Sequence, residues 1–554
     1  MTNLTNFLLF AAVFGCTQAL LAPRTAPRSR TRLRLATPSL LERDITRLAD
    51  RSKSWAASKP EERVAVAEAC LACLREEPWD AGWLQAQTDL EATSASRSRY
   101  VFGAVVGDWL ETFIDAQNPA SETRHAFENG ERVPLGLSVP GATAEIIQGD
   151  HETKEAPAAE GTVSLVLGAG NQSFLALIDV LQRALMHQEC VVLKHHPLRP
   201  WLVKPYAAIL EPLIELDVVA QTLDEGVEQA ATLVAHRSIG HVHLTGGEAT
   251  RDAVRRTLDA AGKSDVAISS ELGCVTPWLI AGGAWTAKEL NRAARNIVAA
   301  KKANGGSNCL SPQVLVVSRE WPQREAFLGL VEEELKRQND ERAYYPGARE
   351  RRDAFLGKCG KEPLGDSDAV GFVRECNDEV LSQEVFGPFL AVKTIEGGLL
   401  EAADFANEKC RGTLSCTVLH PQSLNTMMLL AVVDKLDYGS VAVNVWSAFG
   451  YTALARGATW GAHHEDDASG SGVIGNHYSI PNVEKSVVRG GPLRKTVDLS
   501  AIPPGVVFDA LFEASVRGRG AGAGASVLFR RLLGVLRALV PVGPKGEAYG
   551  APPA

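Results

Sequence analysis

The sequence predicts an α/β protein with two doubly wound domains. Short strands that are apolar throughout alternate with helical segments from residue 161 onward, which is typical of parallel sheets covered on both faces. The alternation occupies two stretches, 161–272 and 273–448, and a chain of 554 residues is too long for one ordinary core. With 45% apolar and 22% charged residues, the composition is that of a soluble globular protein.

The first 38 residues have the composition of a targeting leader. The apolar run at 7–14 is too short to span a bilayer and fits the core of a signal peptide over 1–20. Residues 21–38 are rich in Arg, Ser and Thr and contain no acidic side chain, as in a transit peptide. A signal peptide joined to a transit peptide predicts a plastid destination, with the mitochondrion and the secretory pathway as alternatives.

Helical periodicity dominates residues 39–116, and short apolar pieces with Gly and Pro over 125–148 predict strands and turns. Cys70 and Cys73 form a C-x-x-C within the helical region. We attribute them to helix packing, because no second ligand pair suited to zinc follows. Ten irregularly spaced cysteines indicate a reducing compartment rather than a disulfide framework.

In the alternating region, the predicted strands are the runs most enriched in Val, Ile, Leu and Phe. These runs are 162–168, 190–194, 241–247, 277–283, 313–318, 389–395, 415–420 and 440–445. The first run ends in GAGNQS (168–173), one residue short of the G-x-G-x-x-G dinucleotide fingerprint. That fingerprint needs an acidic residue after the next strand, to bind a ribose hydroxyl. Lys194 stands there instead, so the ordinary Rossmann interpretation fails, and a nucleotide site with a lysine at the ribose is the alternative left open.

Cys309 has unusual neighbours for a structural cysteine. It ends the segment NGGSNC (304–309), and an apolar strand follows directly. Glycine, serine and asparagine at these positions predict exposed backbone N–H groups and the close approach of a substrate.

Taken in order along residues 40–500, these segments resemble the motifs of the aldehyde dehydrogenase superfamily. LGAGN (167–171) resembles the family's Pro-Trp-Asn segment, VVLKHHP (191–197) its V-V-x-K-P-S-E, HLTGG (243–247) its Phe-Thr-Gly-Ser, SELGCVTP (270–277) its E-L-G-G-K-x-P, NGGSNC (304–309) its N-x-G-Q-x-C and QEVFGP (383–388) its E-E-x-F-G-P.

The resemblance implies a role for each matched residue. Cys309 would be the nucleophile, Glu271 the general base and Asn171 the amide that stabilises the oxyanion. The implied cofactor-binding residues are Lys194 at the adenosine ribose, Thr245, Gly246 and Gly247 at the pyrophosphate, and Glu384 and Phe386 at the nicotinamide ribose and ring. No metal site is expected: His195 and His196 are adjacent and point in different directions, and 463–467 (HHEDD) is interpreted as a solvated loop.

The resemblance also divides the chain into Rossmann-like domains. Residues 39–272 would form N-terminal helices and the cofactor-binding domain, with oligomerisation strands near 125–148. Residues 273–448 would form the catalytic domain, and 449–500 would return to the cofactor and oligomerisation region. A Gly/Ala/Arg-rich tail over 501–554 follows, whose amphipathic segment packs on the protein or contacts a membrane surface. The family's assembly implies a homo-dimer or homo-tetramer.

The implied function is the NAD(P)-dependent oxidation of an aldehyde to a carboxylic acid, through a thiohemiacetal and a thioester on Cys309. One alternative is an acyl-thioester or acyl-phosphate reductase of the same superfamily, although the retained Glu271 favours hydrolysis. Another is a catalytically silent, aldehyde-dehydrogenase-like binding protein, because Thr250 or Arg251 replaces a glycine of the pyrophosphate motif.

Further departures from the family's motifs bear on partners. Pro197 replaces an acidic residue that would repel a 2′-phosphate, so NADP is expected to bind as well as NAD, and Arg251 is a candidate phosphate partner. Cys274 replaces a glycine beside the base. The net charge of −9 argues against nucleic-acid binding, and no stable membrane span is expected. The substrate is expected to be a small-molecule aldehyde.

Overall fold

The computed structural model describes residues 38–76, 81–117, 132–135, 142–149, 161–223, 228–451, 459–463, 468–470, 473–475 and 483–493. The predicted signal peptide, the C-terminal tail, four of the five HHEDD residues and nearly all of the transit-like segment lie outside these residues. No helix within the described ranges is both long and apolar enough to cross a bilayer.

The N-terminal region is helical, as its periodicity predicts. Its helices are α1 (Pro38–Ala56), α2 (Pro60–Glu76), α3 (Ala81–Glu91) and α4 (Ala95–Ala116). The side chain of Ser94 caps α4 by accepting a hydrogen bond from the Arg97 backbone N–H. Cys70 is buried in the hydrophobic core on α2. At the end of α1, the buried Trp55 indole donates to the Ala184 carbonyl at 2.9 Å, which joins this helical layer to the first domain.

Strands β1 (Arg132–Leu135) and β2 (Ala142–Gln148) follow as an antiparallel pair. The first sheet then forms from parallel strands in the order β5-β4-β3-β6-β7. Its strands are β3 (Val163–Leu167), β4 (Cys190–His195), β5 (Val219–Leu223), β6 (Ile239–Thr245) and β7 (Ala267–Glu271). The helices between them are α5 (Leu175–Leu181), α6 (Val203–Ile209), α7 (Glu211–Glu215), α8 (Glu228–Ala235) and α9 (Glu248–Ala260).

The second sheet has, among the described strands, the order β1-β2-β16-β13-β12-β8-β9-β11-β10. Its later strands are β8 (Pro277–Ile280), β9 (Val314–Ser318), β10 (Gly371–Val373), β11 (Phe389–Ile395), β12 (Ser415–Leu419), β13 (Ser440–Val443) and β16 (Val483–Gly490), while β14 (Thr459–Gly461) and β15 (Val473–Gly475) pair separately. Its helices are α10 (Ala287–Lys302), α11 (Arg324–Arg337), α12 (Ala348–Lys358), α13 (Leu399–Lys409), α14 (Thr426–Lys435) and α15 (Ala448–Tyr451).

The predicted fold class is confirmed: the chain is α/β, with two Rossmann-like sheets. Each apolar run identified in the sequence forms a strand (β3, β4, β6, β8, β9, β11, β12 and β13). The β extension is continuous with the second sheet, because β2 pairs antiparallel with β16 and β16 pairs parallel with β13. Its role in oligomerisation stays a prediction.

The two sheets meet where β7 ends. Glu271 is the last residue of β7, and residues 272–276 cross from there to β8. The Leu272 backbone N–H donates to the Ser469 carbonyl at 2.8 Å, and Gly470 forms a β-bridge with Glu271. Ligands of parallel α/β sheets bind beyond the carboxyl ends of the strands. The fold therefore brings residues that follow strands of both sheets to one junction.

Candidate functional site

Cys309 lies in a tight connection between α10 and β9. After α10 the chain makes a single 3-10 turn, Ala303–Gly306, in which Asn304 and Gly305 are left-handed, with φ of 58° and 57°. Gly306 is also left-handed, with φ of 74°. These conformations favour glycine because a Cβ makes the left-handed region costly.

The two glycines permit other backbone segments, rather than a substrate, to approach this turn. A Cβ on Gly305 would lie 2.3 Å from the Arg342 carbonyl oxygen, and one on Gly306 would lie 2.4 Å from the Gly387 carbonyl oxygen. The interpretation that the glycines make room for substrate is therefore wrong for Gly305 and Gly306.

The nucleophile and the base predicted from the sequence are neighbours. The Cys309 Sγ lies 3.8 Å from Oε1 of Glu271, whose side chain is buried at the end of β7. The Thr276 hydroxyl donates to the Cys309 carbonyl at 2.7 Å, which ties the cysteine to the crossing between the sheets. The end of β7 and the loop that carries Cys309, which are distant in the sequence, are thus held against each other beside the sulfur.

The predicted oxyanion residue reaches the same loop. Asn171 follows β3, is buried, and donates its Nδ2 to the carbonyl of Ser307 at 3.4 Å. Gln172, the next residue, donates its Nε2 to Oδ1 of Asn304 at 2.9 Å. The loop after β3 and the turn before Cys309 therefore contact each other directly, and the structure brings together Cys309, Glu271 and Asn171.

The surroundings of Cys309 disfavour its thiolate. Burial raises the pKa of the Cys309 thiol well above its usual range, and the negative charges of Glu271 and Glu384 raise it further. Burial also raises the pKa of Glu384 to about 7, against the lowering effects of the Cys274 backbone N–H, Lys301 and Arg351. The resting sulfur is consequently a protonated thiol at neutral pH.

The segment between β10 and β11, which carries Glu384 and Phe386, is held in place by Arg351 of α12. A Cβ on Gly273 would lie 2.2 Å from Oε2 of Glu384, so that glycine makes room for the carboxylate. Arg351 donates its Nε to the Val385 carbonyl at 2.7 Å and its Nη2 to the Phe386 carbonyl at 2.9 Å. Phe386 itself is left-handed, with φ of 47°. The Arg351 guanidinium therefore fixes the backbone that carries both predicted cofactor residues.

The remaining predicted cofactor residues lie at the carboxyl end of the first sheet. Lys194 is buried on β4, and its carbonyl accepts from the Gly168 backbone N–H at 3.0 Å. Thr245 ends β6 and donates its hydroxyl to Asp179 at 3.2 Å. The Gly246 backbone N–H donates to the Glu271 carbonyl at 2.9 Å. The proposed pyrophosphate segment is thereby hydrogen-bonded to the residue that carries the base.

The start of α9 suits a dinucleotide phosphate. A Cβ on Gly247, the N-cap residue, would meet no atom within 4 Å, so there is open space beside the helix N-terminus. The first N–H groups of a helix have no intrahelical acceptor and favour anions. Glu248 would oppose an anion, but Arg411 binds its carboxylate at 2.7 Å and Arg251 lies 3.4 Å from it. The residues present therefore fit the phosphates of a nicotinamide dinucleotide.

The structure revises the expected role of Arg251 and places the two adjacent histidines. Arg251, a candidate phosphate partner from sequence, has its guanidinium against Glu248 and Asp252 instead. His195 contacts Gln221 at 2.7 Å, whereas the His196 ring occupies the space where a Gly170 side chain would be. Within the described ranges, no three His, Cys, Asp or Glu side chains form a group suited to a metal ion.

Sequence reasoning missed residues that act on the site through its backbone. Arg199 and Tyr344 bind the main chain around Asn171, Arg351 binds the main chain around Phe386, and Lys301 is a buried amine electrostatically coupled to Glu384. Burial and the charge of Glu384 act oppositely on Lys301, whose pKa is lowered to about 7. Arg199 and Lys301 each lie beside an apolar run, in PLRPWLV and IVAAKK, which is the sequence indication for these two. Tyr344 and Arg351, within ERAYYPGARERRD, have no such indication.

Comparison with known proteins identifies similar chains. A family described as "Aldehyde dehydrogenase family" matches residues 142–340. Aldehyde dehydrogenase family 3 member A2 of Macaca fascicularis is 24% identical over 297 residues, covering 51% of this chain and 58% of that protein. Beta-apo-4'-carotenal oxygenase of Gibberella fujikuroi is 24% identical over 372 residues, covering 62% of each. The chain thus spans about three fifths of the length of these curated relatives.

Solved structures share the fold at low sequence identity. Gamma-glutamyl-gamma-aminobutyraldehyde dehydrogenase from Burkholderia cenocepacia superposes with a TM-score of 0.60 at 16% identity, over 81% of this chain and 88% of that one. Succinic semialdehyde dehydrogenase from Streptococcus pyogenes, solved in complex with NADP+, superposes with a TM-score of 0.58 at 17% identity, over 82% and 96%.

We predict that Gly306→Ala destabilises the protein more than Gly262→Ala. Both glycines are left-handed, with φ of 74° and 69°, but only at Gly306 would the Cβ meet a carbonyl oxygen. Both changes should cost about 1–2 kcal/mol of backbone strain, and Gly306→Ala about 1–3 kcal/mol more from overpacking. Urea unfolding measures the difference, and equal losses would contradict the role given to Gly306.

We also predict that alkylation of Cys309 by iodoacetamide keeps accelerating as the pH rises through 9, because only the thiolate reacts. Removing a neighbouring negative charge lowers the thiol pKa, so Glu271→Gln should react several-fold faster at pH 8. Glu333→Gln, an exposed carboxylate on α11, is the control. Peptide mass spectrometry follows the site, and a rate that levels off below pH 8 would refute the raised pKa.

Proposed function

Since the chain belongs to the aldehyde dehydrogenase superfamily, we propose that it oxidises an aldehyde to a carboxylic acid with NAD or NADP. The observation that carries this proposal is the 3.8 Å approach of the Cys309 sulfur to the Glu271 carboxylate, with the Asn171 amide bound to the same loop. A thiol, a carboxylate and an amide together supply a nucleophile, a base and an oxyanion donor.

Cys309 begins the reaction by passing its thiol proton to the Glu271 carboxylate, 3.8 Å away, and adding to the carbonyl carbon. Glu271 then releases that proton to solvent before the hydrolytic step. An aldehyde carbon releases hydride readily only after it becomes tetrahedral, and a sulfur nucleophile makes that centre. The oxygen that was the carbonyl then carries developing negative charge. The Asn171 amide and the Cys309 backbone N–H are proposed to stabilise it, and losing one such donor typically slows an enzyme by about 10²–10³-fold.

A bound nicotinamide dinucleotide would supply the acceptor for the hydride of this tetrahedral carbon. The residues proposed to hold it are Lys194 at the adenosine ribose, Thr245, Gly246 and Gly247 at the pyrophosphate, and Glu384 and Phe386 at the nicotinamide ribose and ring. The open space at Gly247 and the Arg411 partner of Glu248 support this assignment. Arg351 holds the backbone of the segment that carries Glu384 and Phe386.

Glu271 is proposed to complete the reaction as the general base that activates water against the thioester. Its carboxylate is buried beside the sulfur, where a water attacking the acyl carbon would be within reach. The alternative of an acyl-thioester or acyl-phosphate reductase requires the acyl group to pass to another acceptor. The retained carboxylate favours water as that acceptor.

A homo-oligomer and a plastid location remain further proposals. The second sheet ends at β1, which has no second neighbour among the described strands, and such an edge is suited to pairing with another subunit. The plastid location rests on the composition of residues 1–38. Size measurement in solution and imaging of a fluorescent fusion test the two proposals.

The proposed function predicts different defects for two variants. Wild type should form NAD(P)H with at least one aldehyde of a panel, and Cys309→Ser should form none. Glu271→Gln should release one equivalent of NAD(P)H and then stall as a thioester, visible as an acyl adduct by intact mass spectrometry. Glu333→Gln should behave as wild type.

The other outcomes distinguish the alternatives. Undiminished turnover in Glu271→Gln, when an added thiol or phosphate accepts the acyl group, would favour the reductase hypothesis. A wild type that forms neither adduct nor NAD(P)H with any aldehyde would favour the silent binding protein.

We further predict that NADP binds with a dissociation constant similar to that of NAD. Pro197 stands where the family's motif has an acidic residue, so no carboxylate at that position opposes a 2′-phosphate. Pro197→Glu should weaken NADP binding by about 10-fold or more, given one new like-charge contact, and leave NAD binding nearly unchanged. Calorimetric titration measures both constants, and a strong NAD preference in wild type would contradict the prediction.

A further inference from the structure

We propose that Arg199 is a positioning residue that sets the place of Asn171 relative to Cys309. This inference rests on the proposed function, because it concerns the oxyanion site of that reaction. Arg199 follows β4 in a turn closed by its backbone N–H to the His196 carbonyl at 3.1 Å. Its side chain is 1% exposed, and a charged residue is rarely buried so far unless it is paired.

The guanidinium binds the backbone of the loop that carries Asn171. Its Nε donates to the Gly170 carbonyl at 2.6 Å, and its Nη2 donates to the Asn171 carbonyl at 2.8 Å. The Tyr344 hydroxyl donates to the same Asn171 carbonyl at 2.6 Å. Two consecutive carbonyl groups are therefore held in a fixed direction, and this sets the direction in which the Asn171 side chain leaves the loop.

The other side of the guanidinium is anchored to α3. Its Nη1 donates to Oε1 of Gln87 at 2.7 Å, and its Nη2 binds Oε1 of Glu91 at 2.8 Å. Gln87 and Glu91 are one helical turn apart, so both face the arginine. Glu91 supplies the opposite charge that a buried guanidinium needs. The arginine is thereby fixed to a helix and acts on the loop from a rigid support.

Tyr344 connects this arrangement to the nucleophile. Its ring lies under the Arg199 guanidinium, 5.3 Å from its centroid, and its hydroxyl accepts from Nδ2 of Asn304 at 3.4 Å. The Arg342 carbonyl, two residues earlier, packs on Gly305 of the turn before Cys309. The segment 342–344 thus contacts both the loop that carries Asn171 and the turn before Cys309. Arg199 binds where this segment meets the loop.

Arg352 provides a matched comparison. It is also fully buried, but its guanidinium binds the carbonyls of Gly365, Ser367 and Ala369 and the carboxylate of Asp353. Both arginines contribute to folding through buried hydrogen bonds. Only the partners of Arg199 include the backbone of Asn171, so the two arginines should differ in catalysis rather than in stability.

The test is a double-mutant cycle on the full chain, with Arg199→Met, Asn171→Ala and the combination. Arg199→Met should lower kcat by about 10–100-fold, because small misplacements of catalytic groups cost up to that much. Its KM for the cofactor should change little. In the Asn171→Ala background, the same change should lower kcat by no more than about 2-fold, because residues acting through one another are not additive.

Independent measurements separate positioning from loss of structure. Iodoacetamide alkylation forms no oxyanion, so Cys309 in Arg199→Met should alkylate within about 2-fold of the wild-type rate. Arg352→Met should lower the thermal midpoint comparably while keeping kcat within about 3-fold of wild type. Tyr344→Phe, which removes one donor to the Asn171 carbonyl without deleting a charge, should show a smaller kcat loss that also disappears in Asn171→Ala. If Arg199→Met does not fold, Tyr344→Phe replaces it in the double-mutant cycle with Asn171→Ala.

Several results would overturn the inference. Losses in kcat that multiply in the double variant would show that Arg199 acts independently of Asn171. An alkylation rate that falls as far as kcat, or an equal kcat loss in Arg352→Met, would show a general structural effect. A wild type without activity toward any aldehyde would instead refute the proposed function, and this inference would fall with it.

Discussion

Direct contact between backbones fixes the turn that carries Cys309, and the site is assembled around that contact. Gly305 lies against the Arg342 carbonyl and Gly306 against the Gly387 carbonyl, and both glycines are left-handed. The segment at 387 continues from Phe386 on the proposed nicotinamide side, and the segment at 342 leads to Tyr344 on the Asn171 side. No side chain separates either segment from the turn. The position of the Cys309 sulfur therefore depends on both the segment that leads to Tyr344 and the segment that follows Phe386.

The sequence predicts the interior of both sheets well because those strands are buried on both faces and are apolar throughout. It misses β5, β7 and β10, whose sequences (VAQTL, AISSE and GFV) mix polar or small residues into positions at or near sheet edges. Such strands have no continuous apolar run to distinguish them from loops. Glu271 belongs to β7, one of these strands. The motif around Glu271 identified it as a candidate site residue, although the strand itself was not predicted.

The supporting residues of the site were beyond sequence reasoning for a different reason. The partners of Arg199 come from α3, the loop after β3 and the segment around 344. These three stretches are far apart in the sequence, and no sequence pattern indicates that they contact one another. A buried charge is recognisable only when the surrounding elements are in place. The glycines before Cys309 illustrate the same limit: their presence predicts close approach, but only the structure identifies what approaches.

The half-buried setting of Cys309, beside two carboxyl groups, also bears on how the sulfur reacts with oxidants. Hydrogen peroxide oxidises thiolates to sulfenic acid far faster than it oxidises thiols. Because burial and the carboxylates of Glu271 and Glu384 keep the proton on the sulfur, the resting protein presents little of the form that peroxide attacks. By the same electrostatics, a half-buried thiol beside two carboxyl groups is expected to react slowly with peroxide.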